Sequence, residues 1–439
     1  MSGFLGMTKV SDWPDGARPK SWREMVLWLY PNGRAALTAI LALAKKQSVP
    51  DYEYSWFTQT FPEQRGTFTA GEMYAEPTLT TPVAGAEAAG HAVYVKTTAA
   101  VASEFRVGHQ VLLRNAADLT ADVNAKCIAS VQNGANSYVG CRLLEADDNG
   151  TTGTLLTADT IKVIGNINAQ GGVTPSAISY QPTKFYNKTQ IFRTPLEIAR
   201  TLMKTKSRTG NTYKNLKKLA LELHSVEQEW SFIQGICSEN TGDNGQPETT
   251  TEGLLTFLRT NLATHVRNYK TDTNYSAATW LEGGDDWLLD STELLTRFTD
   301  QGGASNYVGL AGSGFLKQLE RLAKQNGQIT LNPGSTLGFG IKIRDWVTSF
   351  TTLPIITHPL FSQETTMRNS MLILKPSNII YNYIDDTKFY GQAGKPYGYT
   401  SSGKRIDGLN EEFLTECGLE YHHPQTAMFL YGAGETNTA

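Results

Sequence analysis

Residues 21–61 read SWREMVLWLYPNGRAALTAILALAKKQSVPDYEYSWFTQTF and set out three elements in order. Ser21 with Glu24 forms a capping box, in which hydroxyl and carboxylate each satisfy an orphan backbone N–H at a helix start. The helix that follows carries Trp22, Met25, Val26, Trp28 and Leu29. It is apolar almost all round and must be covered on most sides, by its own domain or by a neighbouring chain. Pro31-Asn32-Gly33 breaks it. A second helix is expected over 34–46, with Leu37, Ile40, Leu41 and Ala44 on one side and Val49-Pro50 as its stop. Tyr52, Tyr54, Trp56 and Thr58 then alternate with Glu53, Ser55, Phe57 and Gln59, the pattern of a strand with both faces partly apolar.

Upstream, residues 1–20 are punctuated by Gly and Pro and read as an extended arm, so 1–50 form an arm with short helices. Downstream, 66–177 change character. Strands are expected at 91–97, 110–115, 125–131, 137–145 and 160–166, spaced as in a small all-β barrel or sandwich with turn-rich linkers on each side. The strand signal resumes at KFYNKTQIFRTPLEI, residues 184–198. We read 51–62 and 183–195 as two arms of one long antiparallel hairpin, with the β domain inserted at its tip. A long helix follows at about 210–235, where Tyr213, Leu216, Leu219, Leu223, Val226, Trp230 and Ile233 recur at three- and four-residue steps. It is the natural backbone for the core. Beyond it, helices are expected at 290–300 and 313–325, with strands at 306–312, 340–347, 353–361, 370–384 and 413–432.

At 439 residues, roughly 150 per unit suggests about three structural units. The chain is 40% hydrophobic and 18% charged, and the charged share falls below the usual ~25%. Low charge with many Thr, Asn, Gly and Tyr suits a strand-rich protein in contact with other chains and does not suit a disordered one. A net charge of −3 argues against a dedicated nucleic-acid binder yet suits a container that must not condense its contents. No run approaches the ~18 apolar residues of a membrane span, and the N-terminus lacks a signal-peptide core. Cytoplasmic synthesis and use are expected, with no pro-segment removed ahead of Met1. Cys127, Cys141, Cys237 and Cys417 are too few for a disulfide scaffold. Cys127 and Cys141 flank the turn signal at 132–136 and face each other if the hairpin is centred on Gly134. A disulfide is possible there, and two reduced thiols are the preferred reading in a reducing compartment.

Catalytic constellations are missing. His91, His109, His224, His265, His358, His422 and His423 show no metal-ligand spacing. His422-His423, within a strand, would point to opposite faces and serve as a structural or interface pair. Asp147-Asp148-Asn149-Gly150 lacks the later carboxylate of a calcium loop. The Gly309–Gly314 stretch between strand and helix lacks the Lys-Ser/Thr ending of a phosphate loop and reads as a helix entry. No catalytic residue, cofactor or metal is expected. One charge pattern stands out: Arg193, Arg200, Lys204, Lys206, Arg208, Lys214, Lys217 and Lys218 run with only Glu197 among them, followed by Glu222, Glu227 and Glu229. Basic at the start and acidic at the end of the long helix opposes the macrodipole preference. Three readings stay open: charge pairing between adjacent subunits of a head-to-tail lattice, a face turned to packaged DNA, and a solvated face.

Leu29, Tyr30, Pro31, Gly33, Leu37, Thr38, Tyr54 and Trp56 resemble the N-terminal signature of major capsid proteins of tailed bacteriophages, in which an apolar helix, a Tyr-Pro-x-Gly turn, a Leu-Thr-rich helix and an aromatic strand follow one another. Ala36 stands where a proline is usual. The later order is similar to the α+β capsid fold named after Hong Kong phage 97. The resemblance implies an extended E-loop at 51–65 and 178–200, and an all-β insertion at 66–177. It implies a spine helix and peripheral domain over 201–250, an axial domain mixed with peripheral segments over 251–407, and peripheral strands at 408–439. It implies a non-enzymatic subunit, assembled in the host cytoplasm into the hexamers and pentamers of a virion shell. Its partners would be portal, scaffold and decoration proteins and packaged double-stranded DNA bound without sequence specificity, with no membrane. Inter-subunit contacts are then expected at Trp22, Trp28, Tyr52, Tyr54, Trp56, Phe185, Tyr186 and Phe192, because aromatic side chains anchor interfaces. The alternative for each is packing in the subunit's own core. The rival function is a soluble β-rich phage tail or adhesin-type binding protein.

Overall fold

The computed structural model describes residue 41 and residues 44–59, 62–83, 87–117, 122–147, 155–205, 212–297, 307–326, 332–337, 341–347, 352–391, 398–399 and 405–439. Trp22, Trp28, Lys206, Arg208 and the capping box at Ser21 lie outside the described residues. The chain divides into two compact units, one of residues 59–182 and one of residues 1–58 with 183–439.

The smaller unit is one seven-stranded antiparallel sheet. Its strand order is Arg65–Thr67, Thr160–Asn166, His109–Arg114, Asp122–Val131, Tyr138–Leu143, Ala92–Lys96, Met73–Tyr74. The five expected strands are all present. Two short ones at the sheet's ends and a helical turn at Ala99–Ser103 carried too little periodicity to be read. Alternate residues point inward, so Val93, Val95, Val111, Leu113, Val123, Ala125, Val139 and Ile161 fill one apolar core. Cys127 and Cys141 stand opposite each other in the register as buried free thiols. Burial pushes Cys127 up to about 11 and raises Cys141 as well.

The larger unit is α+β, with two main sheets. A four-stranded sheet runs Lys45–Ser48, Ile379–Tyr390, Gly408–Tyr421, Gln190–Ala199. A mixed seven-stranded sheet runs Val266–Asn268, Met428–Tyr431, Met371–Leu374, Val308–Ala311, Thr352–Thr357, Ile341–Val347, Asn332–Leu337. The long helix is Thr212–Gln234, 23 residues, or about 34 Å at 1.5 Å per residue.

Where it ends, Gly235 and Gly253 let two chain segments touch. Gly253 N–H donates to Gly235 C=O at 2.9 Å. A Cβ on Gly253 would meet the backbone of Ile233, Gln234 and Gly235. This close approach seats the apolar helix Leu254–Asn261 against the end of the long one.

Several expectations fail for physical reasons. Lys45–Ser48 is a strand paired in parallel with Ile380–Tyr383, so the second helix does not extend over 45–46. The expected long hairpin is shorter: Glu53–Thr58 pairs antiparallel with Thr183–Lys188, and the Thr189 N–H donates to Tyr52 C=O at its end. From Gln190 the chain joins Gly408–Tyr421 instead, because Phe192, Leu196 and Ile198 are buried alternately on that sheet's apolar face. The strand expected over 353–361 stops at Thr357. His358 caps a short helix, Pro359–Gln363, by accepting the Phe361 N–H, and proline at the first helical position ends the strand pattern. His422 and His423 follow the strand rather than sit in it. His423 has φ 55°, and Pro424 opens a 3-10 turn.

Candidate assembly surfaces

The ribbon of Glu53–Thr58 and Thr183–Lys188 has two unlike faces. Tyr54, Trp56 and Thr58 point inward and are buried. Tyr54 Oη donates to Leu419 C=O at 2.8 Å, and Trp56 Nε1 donates to Tyr421 C=O at 3.2 Å. Gly418 makes the first bond possible, since a side chain there would collide with the Tyr54 hydroxyl. The Trp56 ring packs with Phe185 and Phe257, centroids 6.1 and 6.2 Å away. Asn187, also buried, fixes the root of the ribbon. Its Nδ2 donates to Leu419 C=O at 2.8 Å, and its Oδ1 accepts the Glu252 N–H at 2.8 Å.

The outer face holds Glu53, Ser55 and Phe57 on one strand and Lys184 and Tyr186 on the other, with Phe57 opposite Lys184 and Ser55 opposite Tyr186. Phe57 is 60% exposed and Tyr186 55%. Expected contact residues therefore separate. Tyr52 and Tyr186 face solvent. Tyr54, Trp56 and Phe192 belong to their own subunit's core, and Phe185 packs half-buried against it. Phe57 and Ile191, 54% exposed, were not expected. The alternation alone marked two partly apolar faces without telling which faces inward.

The expected stripe of the long helix divides. Ile233 is buried, and Tyr213, Leu216 and Trp230 pack against apolar clusters of their own subunit. Leu219, Leu223, Val226 and Trp230 line an open groove of about 430 Å³ with Leu360, rimmed by Glu222, Gln363 and Glu364. Leu219 is 51% and Leu223 46% exposed. The buried face carries Ala220, Leu221, His224, Ser225, Gln228, Glu229, Phe232 and Ile233.

His224 and Glu229 on that face find partners beneath it, while Gln228 Nε2 is buried with no hydrogen-bond partner among the described residues. His224 sits between hydroxyls, Nδ1 2.9 Å from Thr194 Oγ1 and Nε2 2.7 Å from Thr415 Oγ1. Burial holds its pKa down at about 4. Glu229 lies 2.8 Å from His358 Nε2, with both side chains fully enclosed.

The charge pattern divides in the same way. Glu229 is thus paired inside its own subunit and is withdrawn from inter-subunit pairing. Arg200 forms a forked pair with Asp407. The Lys217 ammonium lies 3.3 Å above the Phe389 ring, a cation–π contact within the subunit. Lys204, Lys214, Lys218 and Glu227 are exposed, and Glu227 accepts from Thr194 Oγ1 at 3.1 Å. Among the described residues no group of three or more His, Cys, Asp or Glu is placed to hold a metal ion, and no helix is long and apolar enough to cross a membrane.

A family model described as SU10 major capsid protein matches residues 14–434. The chain belongs to that family. A curated major capsid protein of Pseudomonas phage PaMx41 is 23% identical over 444 residues, spanning 98% of this chain and 96% of the relative. Among solved structures, a chain of the satellite phage P4 procapsid is 13% identical with a TM-score of 0.36, covering 63% of this chain and 82% of its own. A chain from Mycobacterium phage Cain is 11% identical with a TM-score of 0.36, covering 63% and 76%. A shared major capsid protein family fits a monomer that leaves a helical apolar stripe and the outer face of an aromatic ribbon uncovered.

The root of the ribbon also carries a pH-sensitive group. Burial raises the Glu252 carboxyl to about 7, from an ordinary value of 4.5. A carboxyl raised in the folded state favours the folded form while it is protonated. That contribution is full below about pH 4.5 and is lost as pH rises towards 7. Glu252→Gln removes the loss. The variant should gain stability over the parent progressively between pH 5 and pH 7 and hold a constant advantage above that. Denaturant unfolding across the range, followed by tryptophan emission, checks this, and parallel curves for parent and variant would refute it.

Proposed function

We propose that this chain is the shell-forming subunit of a tailed-phage head, built on the Hong Kong 97-type plan, that self-associates into hexamers and pentamers around double-stranded DNA. The observation that carries the reading is the family match across residues 14–434. The ribbon of Glu53–Thr58 and Thr183–Lys188 serves as the E-loop with the β unit at 66–177 as its insertion, and Thr212–Gln234 serves as the spine. Trp22 and Trp28 meet a neighbouring subunit. Portal, scaffold and decoration proteins are its partners, assembly takes place in the host cytoplasm, and the subunit performs no catalysis. Lys204, Lys214 and Lys218 meet Glu222 and Glu227 of adjacent copies. Many weak contacts closed by symmetry give a strong shell without any one of them being strong.

Expression of the chain, alone and with its phage's scaffold, followed by negative-stain microscopy, tests this. Closed isometric or prolate shells are expected. A monodisperse small oligomer that never closes under either condition would favour a soluble tail or adhesin-type protein.

A further inference from the structure

Facing residues of an antiparallel pair of strands alternate between hydrogen-bonded and unbonded pairs. In the unbonded ones the side chains stand closer, with Cα atoms about 4.5 Å apart. That spacing lies inside the roughly 4.4–6.8 Å that a disulfide spans. In the β unit, Cys127 and Cys141 face each other in register on the neighbouring strands Asp122–Val131 and Tyr138–Leu143. The surrounding bonds fix which kind of pair they are. Leu144 N–H donates to Asn124 C=O at 2.9 Å, which makes 124 and 144 a bonded pair. Three positions along both strands, Cys127 and Cys141 fall on the alternate, unbonded kind. Their neighbours agree. Gly108 N–H donates to Cys127 C=O at 2.9 Å from the far side of its strand, and Leu143, two residues past Cys141, donates to His91 C=O at 2.9 Å, away from Cys127. Both thiols are enclosed in the same apolar core. Cys237 and Cys417 belong to the other unit, so each of these thiols has the other as its one partner thiol in the β unit.

We propose that Cys127 and Cys141 form a redox site, made as two thiols and closed to a disulfide by a low-molecular-weight disulfide, such as oxidised glutathione, once the chain leaves a reducing compartment. The ladder slips just after Cys127, between Cys127 and Ala129, and a bulge of this kind interrupts the pairing where the reagent must enter. The Cys127 thiolate attacks the small disulfide, forming a mixed disulfide and expelling one small thiol. Cys141 then attacks Cys127 Sγ, the protein S–S bond forms, and the second small thiol leaves. The two thiol protons pass to the two small thiols, and the small disulfide takes up the two electrons that the protein gives up. Burial keeps thiolate scarce at both positions, so the step is slow, and a glutathione-reduced cytoplasm holds the pair open. The bond joins strands that are already paired, so it restrains the unfolded unit without moving the folded one. Conversion outside the cell rests on the shell-forming function proposed above, in which the particle leaves its host.

The folded full chain is incubated with oxidised glutathione, denatured in N-ethylmaleimide and digested with trypsin. Lys126 and Arg142 bound the pair with no Lys or Arg between them, so one peptide, 127–142, reports it. That peptide should carry no maleimide and be lighter by two hydrogens than its reduced form. The core amides of the β unit should exchange at least about tenfold more slowly after oxidation, because the staple disfavours opening. Two maleimides or a glutathione adduct on the peptide would overturn the proposal. So would faster exchange, which would mean that the bond forms only by distorting the sheet, or slowing that survives in Cys141→Ala. A second comparison reads the compartment. Phage-producing cells lysed into maleimide should give the thiol form, and particles recovered from the medium the disulfide form. Particles that keep both thiols overturn the conversion outside the cell and leave the shell-forming function standing. Absence of closed shells overturns that function, while the peptide result still decides the pair.

Discussion

Trp56→Ala is expected to destabilise the larger unit by about 3–5 kcal/mol, the usual cost of emptying a large aromatic from a core. Trp56 is 6% exposed, sits among Tyr54, Phe185, Phe257 and His422, and donates its indole N–H to Tyr421 C=O. Alanine leaves a void at the base of the ribbon and an unanswered carbonyl. Phe57→Ala, the next residue on the same strand, should change stability by less than about 0.5 kcal/mol, the range of surface substitutions, while reducing shell yield. Denaturant unfolding reads the difference cleanly, because no tryptophan falls in residues 59–182 and the emission reports the larger unit alone. Equal costs for the two substitutions would mean that the ribbon's faces are not distinguished as described.

His358→Leu is expected to cost a similar ~3–5 kcal/mol, because it strips a partner from a fully enclosed carboxylate. His358 Nδ1 accepts the Phe361 N–H at 3.3 Å, which places the ring proton on Nε2, facing Glu229 Oε1 at 2.8 Å. One imidazole thus caps the helix Pro359–Gln363 and holds the carboxylate on the buried side of the long helix. With leucine there, Glu229 loses this hydrogen bond inside the core, and the cap is lost as well. Adding Glu229→Leu removes the acceptor left without His358, so the double variant should recover much of the loss, as expected when both partners of a buried hydrogen bond are replaced by apolar groups. Leu360 lines the groove, so the single variant should also loosen that wall. Unfolding midpoints for the two single variants and the double one decide the point. A double variant no more stable than His358→Leu alone would show that the pair is not coupled.

Much of the fold is written locally. The β unit was legible strand by strand because its alternation is regular and its turns are marked by Gly, Asn and Asp. The long helix was legible because its apolar residues recur at helical steps, and the opposition of Cys127 to Cys141 followed from a single turn. Facing is another matter. Tyr54 and Phe57 are both aromatic residues on one strand, and only the partner surface, Leu419 behind the first while the second stays 60% exposed, decides which is core. The long helix shows the same limit more sharply. Part of its stripe, Leu219 and Leu223, faces outward, and the buried side accommodates His224 and Glu229 because Thr194, Thr415 and His358 meet them there. That complement lies between 30 and 191 positions away in the chain and leaves no periodic trace. The ribbon's second arm leaves at Thr189 for a similar reason, since its new partner, Gly408–Tyr421, is more than 200 residues distant.

Hydroxyl-radical footprinting of the protein, as dissociated subunits and as assembled shells, reads the outward surfaces most directly. Phe57, Tyr186 and Leu223 should react in free subunits and become protected on assembly, while Tyr54 and Trp56 stay unreactive in both. Unchanged reactivity of Phe57, Tyr186 and Leu223 in closed shells would contradict the claim that these surfaces exist to meet other copies of the chain.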